Sequence, residues 1–256
     1  MKSVEGIERL RILDVPVDVL TMEQAVDLVS EMAKDHSRTK QVVSISPRKI
    51  KALLGDPELR DFTEKADLII PDGYGMVAAA KILYKRKFER VAGADLMQRI
   101  CAESGKRGVK IFIFGTKEKD NAGAVEILKK RYPDTLIVGR HNGYVKDEEM
   151  DALVQEINAS GADIVFVALV RPKQEQWMKK YGPLLNVGVC MGCGGTLDTI
   201  TGTKKRAPLA WQKLNLEWLY YVINQPKRLY TDGYMFWFGI KVYIKSFATL
   251  FKNNKK

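Results

Sequence analysis

The sequence predicts an α/β fold: a Rossmann-like, mostly parallel sheet with helices on both faces, continued by a helical C-terminal appendage. Three observations carry this. Apolar or β-branched runs of about five residues alternate with helix-period segments through the first two hundred residues. Strand signals stop after Gly202. The charge changes there too: of a net +11, residues 204–256 supply +9 from eleven Lys/Arg against Glu217 and Asp232, which leaves the body near neutral at +2. The expected division is a catalytic body over 1–202 and a basic appendage over 203–256.

The expected strands are Arg11–Val19, Gln41–Ile45, Asp67–Ile70, Val109–Phe114, Thr135–Val138, Asp163–Leu169 and Asn186–Cys190. Between them, Thr21-Met22-Glu23-Gln24 reads as a capping box that opens a helix to Ala33. Further helices are expected near Tyr74–Tyr84, Ala94–Ser104, Lys119–Arg131, Asp147–Asn158 and Lys173–Tyr181. Strands linked by helices form right-handed crossovers, and ligands gather at the carboxyl ends of such strands. The appendage predicts helices near Trp211–Asn224 and Pro226–Phe251, the second with a break at Asp232-Gly233.

On a helical wheel, Phe236, Ile240, Tyr243, Phe247 and Leu250 share one face, and Lys241, Lys245 and Lys252 lie opposite. Such a helix suits a membrane interface, and the appendage's Trp and Tyr rings favour headgroup depth. Packing on the protein's own core, or against a second copy in a homo-oligomer, gives the same periodicity.

At 256 residues, with 46% apolar and 29% charged residues, the chain can bury a sizeable core and is not a disordered segment. Three cysteines, Cys101, Cys190 and Cys193, argue against a disulfide framework and suit a reducing compartment. Cys190 and Cys193 have CxxC spacing, a weak metal signal without a second pair. No metal or other cofactor is expected. Met1–Asp14 lacks a signal-peptide pattern and no apolar run reaches about 18 residues, so the expected location is cytoplasmic, peripheral on the inner face of the membrane. The basic appendage points to an anionic partner, a membrane surface or nucleic acid. Its continuous apolar face and the lack of a nucleic-acid-binding signature favour the membrane.

Several strand ends carry polar or Gly-rich turns. Asp72, in Pro71-Asp72-Gly73 after an apolar run, is placed to act as a base, although Pro-Asp-Gly is also a common turn. Arg90 could reach a phosphate or be a solvated charge, and Asp95 is most simply a helix cap. Gly115 ends a strand in a turn able to aim backbone N–H groups at a diphosphate. His141 could touch the donor or simply sit in a turn. Lys173 and Gln174 could bind phosphate and sugar hydroxyls, or merely open a helix. Gly194 permits close backbone approach to a ligand just before Asp198, and Arg206 belongs to a compact basic cluster nearby.

In order, these segments resemble a bacterial glycosyltransferase family that includes the teichoic-acid N-acetylmannosaminyltransferase and the enterobacterial common antigen ManNAcA-transferase. The matching pieces are Pro71-Asp72-Gly73, Arg90 to Leu96, Gly139 with His141 to Tyr144, Pro172 to Glu175, Gly194 to Asp198, Gly202 with Lys205 to Pro208, and Glu217 to Tyr220 with Pro226 and Arg228. The resemblance implies an inverting, metal-independent transfer of N-acetylmannosamine from UDP-ManNAc to undecaprenyl-diphosphate-GlcNAc in cell-wall (teichoic acid) synthesis. It implies Asp72 as general base, Gln174 on substrate, and Arg228 facing the diphosphate. The chain departs from the family pattern at Ser44 and Ser46, where Thr and Asn are usual, at Val170-Arg171 in place of Gly-Ala, and at Tyr221 in place of Arg. A non-catalytic membrane scaffold with the same fold, or a basic nucleic-acid-binding protein, are the alternative readings.

Overall fold

The computed structural model describes residues 6–86, 88–208, 210–211, 214, 217–224 and 234–253. At its centre is a six-stranded, wholly parallel sheet. Its strands are β3 (Lys40–Ile45), β4 (Leu68–Pro71), β5 (Ile111–Gly115), β6 (Ile137–His141), β7 (Ile164–Ala168) and β8 (Val189–Gly192), in spatial order β4-β3-β8-β7-β5-β6. The strands are short, and β4, β5, β7 and β8 are apolar because both of their faces are covered.

Alternation divides the core in two. Val43, Ile45, Ile69, Phe112, Phe114, Val165 and Val167 face one layer. Val42, Leu68, Ile70, Ile111, Ile113, Ile164 and Phe166 face the other. The second layer takes α1 (Met22–Lys34), α5 (Gly93–Arg107), α6 (Glu118–Arg131) and α9 (Thr196–Ile200). The first takes α2 (Pro47–Gly55), α3 (Pro57–Lys65), α4 (Tyr74–Tyr84), α7 (Met150–Ala159) and α8 (Lys173–Tyr181). Thr21 and Gln24 form the expected capping box at α1, each side chain bonding the other's backbone N–H.

Two expectations need correcting. Arg11–Val19 is not a strand of the main sheet. It folds as a separate hairpin, β1 (Arg9–Ile12) and β2 (Val15–Asp18), through a two-residue turn at Leu13 (φ 48°) and Asp14 (φ 66°). Positive φ at both turn residues matches the twist of paired strands, the type I′ arrangement. A buried Arg9–Asp18 pair, with Asp18 accepting from the Ile69 N–H at 2.7 Å, ties the hairpin to β4. Second, α2 and α3 occupy the stretch between β3 and β4, where the sequence reading proposes no helix. Each starts on Pro at the first helical position after an N-cap, Ser46 or Asp56.

In the appendage, α10 (Glu217–Asn224) and α11 (Tyr234–Asn253) are helical. Helix α11 lies against α2 and α4 and buries Tyr234, Phe238 and Val242. The apolar face of Phe236, Ile240, Tyr243 and Phe247 is exposed, Phe236 by 67%. The opposite face, on which the lysines are expected, is the docking face: Lys245 pairs with Asp14 at 2.7 Å. Lys241 lies over the Trp237 ring. The side chains of Leu250 and Lys252 lie outside the described residues. Among the described residues, no helix is long and apolar enough to cross a membrane.

Candidate active site

Strands β5 and β7 are neighbours, but β5 connects onward to β6 on one side and β7 to β8 on the other. Such a divergence opens a crevice at the carboxyl ends. A cleft of about 1380 Å³ lies there, and its walls include Ser44, Lys49, Thr116, Arg171, Lys173, Glu175, Gly194 and Asp198.

Gly115 sets the crevice edge. Its φ is +126°, and a Cβ there would meet the Ala168 carbonyl oxygen at 2.3 Å. Only glycine lets β5 turn this close to β7. The next residue, Thr116, donates its hydroxyl to Asp198, which also pairs with Lys204. Asn121 on α6 is fully buried and holds both strand ends, its Nδ2 donating to the carbonyls of Gly115 and His141, each at 2.9 Å.

A buried polar chain runs along the cleft wall. Lys49 Nζ donates to Ser44 Oγ at 3.1 Å and lies 3.2 Å from Glu175 Oε1. Gln174 Nε2 donates to the same carboxylate at 3.3 Å, and Gln174 Oε1 accepts from the Gly194 N–H at 2.7 Å. Burial pulls the Lys49 ammonium below the usual lysine value, against the attraction of Glu175. Three of the expected residues, Ser44, Gln174 and Gly194, thus join one chain with Lys49 and Glu175, and Lys173 lines the same cleft.

Asp72 stands at the carboxyl end of β4, half-buried, its N–H bonded to the Ile45 carbonyl at 2.7 Å. Burial pushes its carboxyl above the usual range, while the nearby cations Lys49, Arg90 and Arg171 pull it down and Glu217 adds to the rise. Asp72 therefore sits between the polar chain and a second charged cluster. In that cluster Arg90 pairs with Glu217 at 2.9 Å and with Asp95 at 3.6 Å. Arg206 grips Asp95 with two bonds, 2.6 and 3.0 Å, and reaches Glu217 at 3.3 Å. The bond to Asp95 holds the Arg206 guanidinium firmly charged, above its ordinary value.

Some expected roles change. Asp95 does not cap α5, whose N-cap is Ala92; its carboxylate is committed to arginines. Arg90 is paired with Glu217 at 2.9 Å rather than being a solvated charge. Arg206 joins the residues after α9 to α5. Ser46 is the N-cap of α2, accepting from the Lys49 N–H at 3.4 Å. His141 is half-buried beside the Phe114 ring, with Nδ1 2.9 Å from the Asn142 carbonyl oxygen. Arg228 lies outside the described residues. The CxxC cysteines are free, buried thiols that burial pushes up.

Lys49 and Asn121 escape the sequence reading. Ser46-Pro47 is a helix-start signal that would have put Lys49 in a first turn beside the end of β3. Asn121 carries no such signal, since a polar residue early in a helix is ordinarily solvated.

The arrangement is a half-buried carboxylate at a strand end, beside a cleft that offers glycine backbone and cationic side chains. It can accept a proton and hold an anionic ligand at one place. Residues 10–248, nearly the whole chain, match the model of the glycosyl transferase WecG/TagA/CpsF family, and the chain belongs to that family of glycosyltransferases.

Proposed function

We propose that the protein transfers N-acetylmannosamine from UDP-ManNAc to undecaprenyl-diphosphate-GlcNAc, with inversion and without a metal, in teichoic-acid-type cell-wall synthesis. Family membership supports a nucleotide-sugar donor and a lipid-linked acceptor. The observation that carries the mechanism is the position of Asp72, whose carboxyl is withdrawn from water and biased toward taking a proton. In this reading Asp72 takes the proton of the acceptor GlcNAc hydroxyl. The freed oxygen attacks the anomeric carbon from the face opposite UDP, the bond to the diphosphate breaks, and UDP leaves with both electrons. Lys173, which lines the cleft with Gly194, and Arg228 offset the charge that grows on the diphosphate.

The lipid acceptor calls for a membrane, and two features support contact with one. Exposed Phe236, Ile240, Tyr243 and Phe247 on α11 form an apolar surface. Helix α11 rests on α2 and α4, whose N-caps are Ser46 and Gly73, the residue after Asp72. Its start lies close to them: a Cβ on Gly75 would come within 3.4 Å of Met235 Cε. An apolar surface on α11 would thus hold the Asp72 side of the site near headgroups, on the inner face of the cell membrane.

The donor is tested by UDP release with a soluble diphosphate-linked GlcNAc acceptor, comparing UDP-ManNAc with UDP-GlcNAc. Acceptor-dependent release with the first and not the second supports the reading. Release with UDP-GlcNAc alone replaces the donor.

A further inference from the structure

Seven cationic and four acidic side chains line the cleft. Lys49 is matched by Glu175, Lys204 by Asp198 and Lys146 by Glu148. Arg171 is different. It follows β7, lines the cleft and is exposed there, and it makes no hydrogen bond or ion pair among the described residues. Its charged neighbours are Glu175, the like-charged Arg48 and Asp72. Lys49 lies 3.2 Å from Glu175 Oε1, while Glu175 Oε2 is buried without a hydrogen-bond partner. A guanidinium with five donors, lining a ligand-sized cleft without a partner of its own among the described residues, is suited to bind an oxyanion there.

We infer that Arg171 is a specificity-determining contact that binds an oxyanion carried by a substrate: a diphosphate or, where a uronate takes the place of N-acetylmannosamine as the transferred sugar, that sugar's carboxylate. This rests on the glycosyl-transfer reading and deepens it, because it adds a charged contact at the residue candidate for proton transfer. Two parallel N–H bonds from one guanidinium select a planar or tetrahedral oxyanion over a hydroxyl.

The test is calorimetric binding to the full chain, wild type against Arg171→Ala and Arg171→Lys. The probes are UDP, a UDP-hexosaminuronate, and a short-chain diphosphate-linked GlcNAc. Arg171→Ala should weaken at least one probe by roughly ten- to a hundredfold, and Arg171→Lys should recover part of that loss, keeping the charge without the fork. Loss on UDP assigns the donor diphosphate. Loss on the uronate with UDP spared assigns a sugar carboxylate. Loss on the acceptor analogue alone assigns the acceptor diphosphate. The urea midpoint should not move, since Arg171 gives up no partner among the described residues. Equal affinities of wild type and Arg171→Ala for all three probes would overturn the inference while UDP binding by wild type keeps the transferase reading. Failure of wild type to bind any probe would overturn both.

Discussion

Arg206 holds Asp95 through two guanidinium nitrogens, at 2.6 and 3.0 Å, and so fastens the chain beyond α9 to the first turn of α5. Glu217 joins the same cluster through Arg90 and Arg206, which brings α10 to the Asp72 side of the site. A bidentate pair with each side chain less than a third exposed should be worth about 1–2 kcal/mol, above an ordinary surface pair. A double-mutant cycle with Asp95→Asn and Arg206→Gln, read by urea unfolding, should give a coupling of about that size. Coupling near zero would show that the cluster does not fasten these segments.

Gly115→Ala should cost about 2–4 kcal/mol, because φ is +126° and the new methyl would meet the Ala168 carbonyl at 2.3 Å. The denaturant midpoint checks this. Gly108→Ala serves as the contrast: its φ is also positive, at +66°, but nothing lies within 4 Å, so it should cost less.

A base acts only when deprotonated, so kcat/KM should fall as pH drops through the Asp72 pKa. Burial raises that pKa, so the acid limb should lie above the ordinary aspartate value of about 4. Arg90 pulls the pKa down; removing it in Arg90→Gln should move the limb to higher pH. A limb that stays put or moves down would contradict the assignment.

Much of this was legible in the sequence, for a physical reason. Strands buried on both faces must be continuous apolar runs, so β4, β5, β7 and β8 stand out, and the capping box at Thr21 marks α1. Helices α2 and α3 were missed although each carries a start signal, an N-cap at Ser46 or Asp56 followed by Pro at the first helical position. Periodicity found the apolar stripe on α11 but not which face docks. Tyr234, Phe238 and Val242 lie among the lysines on the wheel, and only the contact with α2 and α4 picks them out. Charge pairing was the least legible part: Arg90, Asp95 and Arg206 look like separate ligand contacts in sequence and are one cluster in space.

If the exposed stripe meets a bilayer, Phe236→Ser, Ile240→Ser and Phe247→Ser together should reduce sedimentation with anionic vesicles at least tenfold. Each side chain is exposed, so the urea midpoint should change little. Wild-type binding should weaken with added salt, because part of the attraction is screened. Vesicle binding that survives the triple substitution would place the contact elsewhere.

The central claim is that Asp72 takes the proton of the acceptor hydroxyl. The most direct measurement is acceptor-dependent UDP release by wild type and Asp72→Asn, at saturating donor and acceptor. The account predicts a fall of roughly a hundredfold or more in kcat, with donor binding retained. Equal rates in the two proteins would contradict it.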